Sequence, residues 1–393
     1  MTILEEYLKK ATENNWQKNE LENEIKRLIK IYNKKRNTNL IIYASNFDPN
    51  LPTILEQKDY YYLKDILDAV PKGENLDIYL ETPGGSVTTA EEIVKYIHNE
   101  YNKISFVICG EAKSAGTIMA MSGNEILMTK TASLGPIDTQ IPSSRGLISA
   151  YDYIEWFNTK RKEAEKENKL NPVDEIIISK IIPGELNSAI NELKYAEELV
   201  KEWLYKYKFK DWHKTETKNI EVTNTMKKRK AASIAHKLSD HSKWKVHSRS
   251  LKIEDLEEIG LKITNLDNDE ELGLIVYKIN LVCRLLFNLT NTYKYFITER
   301  QCISLNAELN SENNQTNPNT PVFIDINHTC PNCHKKNIFY AKLVDDPNID
   351  KENIKQGKLP LPKNNIHKCE CGLQIDMQNI INDIENKFGQ III

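Results

Sequence analysis

The chain lacks an uninterrupted apolar run of the ~20 residues that a membrane-spanning helix needs. Its most apolar stretch, Gly273 to Leu289, is broken by polar side chains, namely Lys278, Asn280, Arg284 and Asn288. That pattern predicts a buried amphipathic helix. The N-terminus is charged from its first residues and shows no apolar segment of the kind found in signal peptides. We therefore expect a cytoplasmic protein without a membrane span.

The chain also lacks a strong net charge. It has 53 Lys and Arg against 56 Asp and Glu, which gives a formal charge of −3. That balance provides no general attraction to nucleic acid or to an anionic membrane. The basic run 227–230 is typical of a solvated helix face. Nucleic acid is not an expected partner, and no internal repeat is visible.

Cysteines are few, and their distribution does not indicate a disulfide framework. Four of the seven form two close pairs: Cys330, Cys333, Cys369 and Cys371. In a chain without an export signal, such pairs bind metal more often than they form disulfides. Four thiolates suit tetrahedral Zn²⁺ in a closed structural site, and the flanking segments alternate as strands do. We predict a zinc ribbon, in which one of three nearby histidines can replace a cysteine: His328, His334 and His367.

Apolar strands alternate with helices over the first half of the chain. Strands are predicted at 40–44, 76–80, 104–109 and 125–128, and the intervening helices at 60–70, after Thr88 or Thr89, and at 114–122. Such alternation predicts an α/β fold with a mostly parallel sheet and crossover helices. Residues 150–210 and 265–300 are predicted to be helical.

The composition suggests five segments. They are an N-terminal helical extension (1–36), a catalytic domain (37–264), a second helical extension (265–310), a polar linker (311–321) and the zinc ribbon (322–393).

Two glycine-bearing turns follow neighbouring predicted strands. The first is Thr82-Pro83-Gly84-Gly85-Ser86, and the second is Gly110-Glu111-Ala112-Lys113-Ser114-Ala115-Gly116. Ser114 opens a helix, so the Ala115 N–H belongs to the helix end that favours negative charge. Gly84 and Gly85 can turn a second N–H toward the same point, since ligand sites in open α/β sheets lie at the carboxyl ends of strands. The order of the turns therefore predicts a nucleophile at Ser114 and an oxyanion hole beside it.

These turns, with 133–140 (Ser-Leu-Gly-Pro-Ile-Asp-Thr-Gln) and 241–261, resemble the ClpP/crotonase superfamily over roughly residues 20–300. Within it they are most similar to the SppA-like serine peptidases and the serine dehydrogenase proteinase family. The resemblance implies that Ser114 is the nucleophile and that Gly85 and Ala115 supply the oxyanion N–H groups. It further implies an extended peptide paired with 83–86. It also implies a homo-oligomer and chemistry without a cofactor.

The general base is not apparent from the sequence. ClpP itself has a histidine just after the strand that follows the nucleophile, and this chain has Asp138 there. Three possibilities remain open: His247 as an imidazole base, a lysine such as Lys160 in a serine–lysine dyad, or His247 oriented by Asp138. The four other histidines outside the ribbon show no constellation and are expected at the surface: His98, His213, His236 and His241.

The sequence thus predicts a serine endopeptidase that acts on peptides or proteins. The alternative is a catalytically silent scaffold of the same fold that acts through its zinc ribbon. Acyl-CoA chemistry of the crotonase type is the third hypothesis.

Overall fold

The computed structural model describes residues 2–143, 146–215, 218–246, 248–307, 322–343, 346–362 and 365–388. The chain divides into two compact units, residues 1–308 and 309–393. The predicted linker, 311–321, lies outside the described residues. The finer boundaries expected at residues 36, 264 and 310 stay predictions.

The first unit contains a central seven-stranded sheet. Its strands and those of two short two-stranded ladders, β4-β6 and β7-β8, are β1 (Asn39–Ser45), β2 (Asn75–Glu81), β3 (Lys103–Ile108), β4 (Glu111–Ala112), β5 (Glu125–Met128), β6 (Ser133–Leu134), β7 (Gln140–Ser143), β8 (Gly146–Ser149), β9 (Thr264–Asn265), β10 (Thr292–Ile297) and β11 (Cys302–Asn306). The order in the large sheet is β11-β10-β1-β2-β3-β5-β9. Strands β1, β2, β3, β5 and β9 run parallel, and β10 pairs antiparallel with both β1 and β11. The predicted α/β class with a mostly parallel sheet is confirmed.

Helices cover both faces of this sheet. They are α1 (Ile3–Glu13), α2 (Lys18–Arg36), α3 (Gln57–Leu67), α4 (Val87–Glu100), α5 (Ala115–Ala120), α6 (Ala150–Glu167), α7 (Pro172–Ile178), α8 (Pro183–Trp203), α9 (Asn224–Leu238), α10 (His241–Trp244), α11 (Ile253–Glu258) and α12 (Glu270–Leu289). Alternate residues of β1 enter two different cores, Ile41 and Tyr43 on the α3–α4 side and Leu40 and Ile42 on the α2–α12 side. Both faces of the strand are apolar because both are buried.

One helix among the described residues, α12, is long and apolar enough to cross a membrane by length and composition alone. In its most apolar window, 61% of the helix is buried inside the protein. Its side chains Val276, Ile279 and Val282 belong to the core that α2 and the sheet share. That environment explains its composition, because a helix buried in a protein core can be as long and as apolar as a membrane span.

The helix predicted over 265–300 is wrong at its C-terminal end. Helix α12 ends at Leu289, where the Thr290 hydroxyl bonds back to the Leu286 carbonyl at 2.6 Å. Residues 292–297 then form β10 instead, a buried strand of the main sheet. Aromatic and β-branched residues favour such a strand. Their run is short and directly follows an apolar helix in the sequence, so the pattern does not separate the strand from that helix.

Helix α4 begins earlier than predicted. Its N-cap is Ser86 rather than Thr88 or Thr89, and the Ser86 hydroxyl accepts a hydrogen bond from the Thr89 N–H at 3.1 Å. The helix therefore starts directly at the end of the first glycine turn. This fixes the turn at both ends, since β2 precedes it and α4 follows it.

The second unit is small. It contains β12 (Phe323–Thr329), β13 (Lys336–Lys342), α13 (Pro347–Lys355), β14 (Leu359–Pro360), β15 (Ile366–Lys368), β16 (Gln374–Asp376) and α14 (Gln378–Phe388). Strands β12 and β13 form an antiparallel pair, as do β15 and β16. Its core is one cluster of buried side chains: Ile326, Phe339, Ala341, Met377 and Ile381.

Candidate active site and metal centre

The two glycine turns meet at Ser114. A Cβ placed on Gly84 would lie 2.6 Å from the Ser114 Cβ and 3.3 Å from its Oγ. Gly84 also has a φ of +105°, a conformation that side-chain-bearing residues rarely adopt. Only glycine fits here, and its absent side chain lets the first turn lie against the nucleophile.

Backbone hydrogen bonds hold the two turns in register. The Thr82 N–H donates to the Glu111 carbonyl at 2.9 Å, and the Lys113 N–H donates to the Thr82 carbonyl at 3.0 Å. The Thr117 hydroxyl then donates to the Ala112 carbonyl and accepts from the Gly135 N–H, both at 2.8 Å. Segments 82–84, 111–117 and 133–135 thus form one bonded assembly at the carboxyl ends of the parallel strands.

Ser114 itself has a strained backbone. Its φ of +49° and ψ of −117° are rare for a residue with a side chain, and strain of this kind costs on the order of 1–3 kcal/mol. It occupies the N-cap position of α5 without using its hydroxyl as a cap. The hydroxyl is half-buried and available to another partner. The Ala115 N–H is the first of α5 and has no acceptor within that helix.

Gly85 makes a parallel bridge with Leu55. The Leu55 N–H donates to the Gly84 carbonyl at 2.7 Å, and the Ser86 N–H donates to the Leu55 carbonyl at 2.9 Å. This pattern leaves the N–H of Gly85 outside the bridge, because Leu55 bonds only the residues on either side of it. A Cβ on Gly85 would lie 2.4 Å from the Leu55 carbonyl oxygen, so glycine is required here too.

Lys113, which precedes the serine, is buried. Its ammonium donates to the Ser250 hydroxyl at 2.8 Å and to the Ser133 hydroxyl at 3.1 Å, and burial lowers its pKa. The lysine ties the nucleophile turn to β6 and to the segment after α10. Sequence reasoning missed this contact, since nothing local marks Ser250 as a partner.

Asp138 lies in a buried polar cluster with His241. Its carboxylate accepts from the Ser149 hydroxyl at 3.0 Å, and the His241 Nε2 lies 3.4 Å from its Oδ2. The other ring nitrogen, Nδ1, is 3.5 Å from Asp152, whose side chain is 66% exposed. The imidazole stacks on Tyr151, with the ring centroids 4.9 Å apart. Asp138, which stands where ClpP has a histidine, is therefore the partner of a buried histidine in this chain.

The surface position expected for His241 is wrong, and His98 is partly buried. His241 is only 8% exposed. The His98 ring stacks on Tyr207 at 3.5 Å, and burial lowers its pKa to about 4. His213 and His236 are exposed as expected. The only sequence signal for His241 was its position in the segment that resembles the peptidase family.

The remaining base candidates have different surroundings. Lys160 lies on α6, and its ammonium is 3.0 Å from Glu163 and 3.2 Å from Asp174. These carboxylates raise its pKa, whereas a lysine base needs a lowered one. These contacts therefore disfavour Lys160 as the general base. His247 lies outside the described residues, and its role stays a prediction.

A buried carboxyl supports the joint between the turns. Glu81 accepts from the Tyr79 hydroxyl at 2.8 Å and from the Asn280 side chain at 3.2 Å. Its carboxyl packs against Gly110, where a Cβ would lie 2.5 Å from the Glu81 Oε1. Burial raises the pKa of Glu81 to about 7.

In the second unit, the four predicted cysteines converge. Their sulfur atoms all lie within 4.8 Å of one another, and two of these distances are 3.7 Å (Cys330 to Cys371) and 3.6 Å (Cys333 to Cys369). Tetrahedral zinc with Zn–S bonds of 2.3 Å would separate its sulfurs by about 3.8 Å. The four cysteines therefore have the spacing of a metal site. None of the three nearby histidines belongs to this group of ligands.

The fold and the first unit's site define an α/β protein with a ClpP-like arrangement around a serine. The family described as ClpP-like SDH-type serine proteinase matches residues 16–218, just over half of the chain. The chain belongs to this family.

Two archaeal proteins of Methanocaldococcus jannaschii are similar in sequence. The uncharacterized protein MJ0137 is 31% identical over 136 residues, which are 34% of this chain and 46% of that protein. The uncharacterized protein MJ1495 is 29% identical over 203 residues, 51% of this chain and 56% of that protein. The chain thus spans about half the length of these relatives.

Two solved structures of mutants of the 1510-N membrane-bound stomatin-specific protease are also similar. They share 15% and 16% identity, with TM-scores of 0.31 and 0.30. The matches cover 56% and 64% of this chain and 79% and 80% of those chains.

We expect Glu81→Gln to change how stability depends on pH. Between the ordinary pKa of 4.5 and about 7, folded Glu81 holds a proton that the unfolded chain has released. The wild type therefore loses stability as pH rises through this window, by about 3 kcal/mol, and a neutral glutamine does not. Urea denaturation of both proteins across that range measures the difference.

Glu202→Gln is the matched control, because Glu202 is exposed. Its stability should follow the wild-type pH curve. The interpretation of Glu81 is wrong if the Glu81→Gln curve also runs parallel to the wild type.

Proposed function

We propose that this protein is a serine peptidase that hydrolyses peptide bonds through an acyl-enzyme on Ser114. The observation that carries the proposal is the close contact of a strained serine at the start of α5 with the Gly84-Gly85 turn. Membership of the ClpP-like serine proteinase family supports the same chemistry. The proposed substrate is a peptide or protein in an extended conformation, cleaved internally.

The proposed oxyanion hole consists of the Gly85 and Ala115 N–H groups. Ser114 Oγ attacks the carbonyl carbon of the substrate. The carbonyl oxygen of the substrate becomes an anion, which these two donors stabilise. Gly85 is suited because the bridge to Leu55 does not use its N–H. Ala115 is suited because its N–H, the first of α5, has no acceptor within that helix. The edge of 83–86 that does not face Leu55 is the edge we propose for peptide pairing.

For the proton, we propose an imidazole oriented by Asp138, and His241 is the candidate that the described contacts favour. Asp138 is buried, so it can hold the Nε2–H of His241. The contact of Nδ1 with exposed Asp152 is weaker because solvent screens it. Nδ1 is then the nitrogen that accepts the Ser114 proton and returns it to the leaving amine. A water deprotonated by the same imidazole cleaves the acyl-enzyme.

The chain topology favours this assignment. A Cβ on Gly135 would lie 3.3 Å from the Ser114 backbone nitrogen, and Asp138 follows three residues later. Three extended residues span at most about 11 Å. Asp138 therefore belongs to the segment that packs against the nucleophile turn, and His241 contacts Asp138.

Three further properties belong to the proposal. The metal held by the four cysteines is structural Zn²⁺, which supplies folding energy to a unit with a small core. The protein acts in the cytoplasm. It assembles as a homo-oligomer.

The nucleophile is tested with a fluorophosphonate probe, which reacts with activated serines. We expect the wild type to be labelled and Ser114→Ala to be unlabelled, because the alanine has no hydroxyl. Ser86→Ala is not a suitable control, since Ser86 caps α4, and Ser242→Ala at an exposed site is used instead. Equal labelling of wild type and Ser114→Ala would contradict the proposal and favour the catalytically silent scaffold.

The base is tested by the rate of probe labelling as a function of pH. His241→Gln should lower the rate by about 10²-fold or more, as loss of a general base does. Asp138→Asn should lower it similarly, because the imidazole loses its orientation. His213→Gln, at an exposed site, should leave the profile unchanged.

His247→Gln and Lys160→Met distinguish the other candidates in the same assay. Loss of labelling rate in His247→Gln, with His241→Gln unaffected, would transfer the role to His247. Loss only in Lys160→Met would instead support a serine–lysine dyad.

The metal is tested by elemental analysis of purified protein. We expect about one zinc per chain in the wild type, as in other four-cysteine sites. Cys369→Ser should lose the metal and destabilise the second unit, and Cys302→Ser should retain it, because Cys302 lies in the first unit. Metal-free wild type with an intact second unit would contradict a zinc site.

A further inference from the structure

A fully buried ion pair joins α3 to β10. Both Lys294 and Asp59 are 0% exposed, and the lysine ammonium lies 2.9 and 3.0 Å from the two carboxylate oxygens. The Tyr43 hydroxyl also donates to Asp59, at 2.8 Å. Burying two charges costs several kcal/mol per ion, and apolar residues of similar size often stabilise a fold as well or better. The remaining hydrogen bonds of the pair therefore indicate its role.

Each member of the pair holds one backbone group of the segment before α3. The Lys294 ammonium donates to the Ile54 carbonyl at 2.8 Å, although the two residues are 240 positions apart. The Asp59 carboxylate accepts from the Glu56 N–H at 3.0 Å. The peptide groups on both sides of Leu55 are thus fixed by charged side chains, and such hydrogen bonds are stronger than neutral ones.

Leu55 is the residue that bonds the oxyanion turn. Its N–H donates to the Gly84 carbonyl, and its carbonyl accepts from the Ser86 N–H. These two bonds surround Gly85 and set the orientation of its peptide plane. With a φ of +144° and no side chain, Gly85 has little conformational preference of its own. Its orientation has to come from its neighbours.

We propose that Lys294 and Asp59 are positioning residues for the oxyanion hole, acting through Ile54, Leu55 and Glu56 on the N–H of Gly85. The proposal rests on the proposed peptidase function. It adds a residue of β10, beyond the segment that matches the proteinase family, to the machinery of the site. An oxyanion donor is effective only when it is held in place before the charge develops. The hydrogen bonds of Lys294 and Asp59 to the peptide groups around Leu55 provide that restraint.

The test is the double variant Asp59→Asn/Lys294→Met, which leaves no unpaired charge in the core. Its reaction with the fluorophosphonate probe is separated into the maximal labelling rate and the probe concentration at half-maximal rate. Loss of a preorganised oxyanion donor should lower the maximal rate at least about tenfold and change the half-maximal concentration little. Labelling should still require Ser114.

A second ion cluster, in which Asp77 is buried and Arg36 is 24% exposed, provides the control. Arg36 lies 3.3 Å from Asp77 and 3.0 Å from Glu125, near the amino ends of β2 and β5 and away from the turns. Asp77→Asn/Arg36→Met therefore removes an ion pair of the same sheet without touching Leu55. We expect it to lower the melting temperature while labelling stays within about twofold of wild type. Equal labelling rates in the two double variants would overturn the positioning role.

A single variant covers the case in which the double variant does not fold. Lys294→Met alone leaves a carboxyl at Asp59 whose pKa burial raises, so it can take up a proton and leave no unpaired charge in the core. It keeps the acceptor for the Glu56 N–H but removes the donor to the Ile54 carbonyl. Hydrogen exchange at the Leu55 and Ser86 amides should accelerate about tenfold in it, relative to amides of β3 in the same protein. Unchanged exchange at these two amides would overturn the proposal. An unlabelled wild type would instead reject the peptidase function, whatever the exchange rates show.

Discussion

The contact between Gly84 and Ser114 is the constraint on which the site depends. With 2.6 Å between the Ser114 Cβ and the place of a Gly84 Cβ, no side chain fits between the two turns. Each turn follows a parallel strand of the same sheet, so the sheet sets the distance between them. The strained serine persists because its neighbours are fixed: Lys113 bonds to Thr82 before it, and Thr117 of α5 bonds to Gly135 after it. The strain is a consequence of the packing, and it leaves the serine hydroxyl out of the helix cap.

Several ionisable groups are buried around these turns, and each is bonded to a different part of the chain. Glu81 bonds to α12, Lys113 to β6 and Ser250, Asp138 to Ser149, and Asp59 to β10, and Asp138 also lies 3.4 Å from His241. A buried polar group has to be paired, so each one fixes the relative position of two segments that hydrophobic contacts alone would allow to slide. The turns are therefore held by directional bonds, while the sheet beneath them is held by apolar packing.

The sequence predicts the turns well because their information is local. A strand, a glycine turn and a helix start lie within a few residues of one another, and the buried faces of α2 and of the parallel strands follow from periodicity. The same reasoning fails where partners are distant. His241 lacks any nearby pattern, and its burial arises only when 134–138 packs against the end of α9, where the Ile137 N–H bonds to the Leu238 carbonyl. Strand β10 was misassigned for a related reason, because its pairing with β1 is not visible in its own six residues.

The distant contacts also determine how much of the chain is needed to position the site. The family match ends at residue 218 and includes the nucleophile, both proposed oxyanion donors and Asp138. Yet His241, Ser250 and Lys294, which contact Asp138, Lys113 and Asp59 in that order, all come later in the chain. Strand β9 and strand β10 extend the same sheet on opposite sides. The unit that positions the serine is therefore the whole first compact unit, since a chain ending at the family match would leave Asp59, Lys113 and Asp138 buried without these partners.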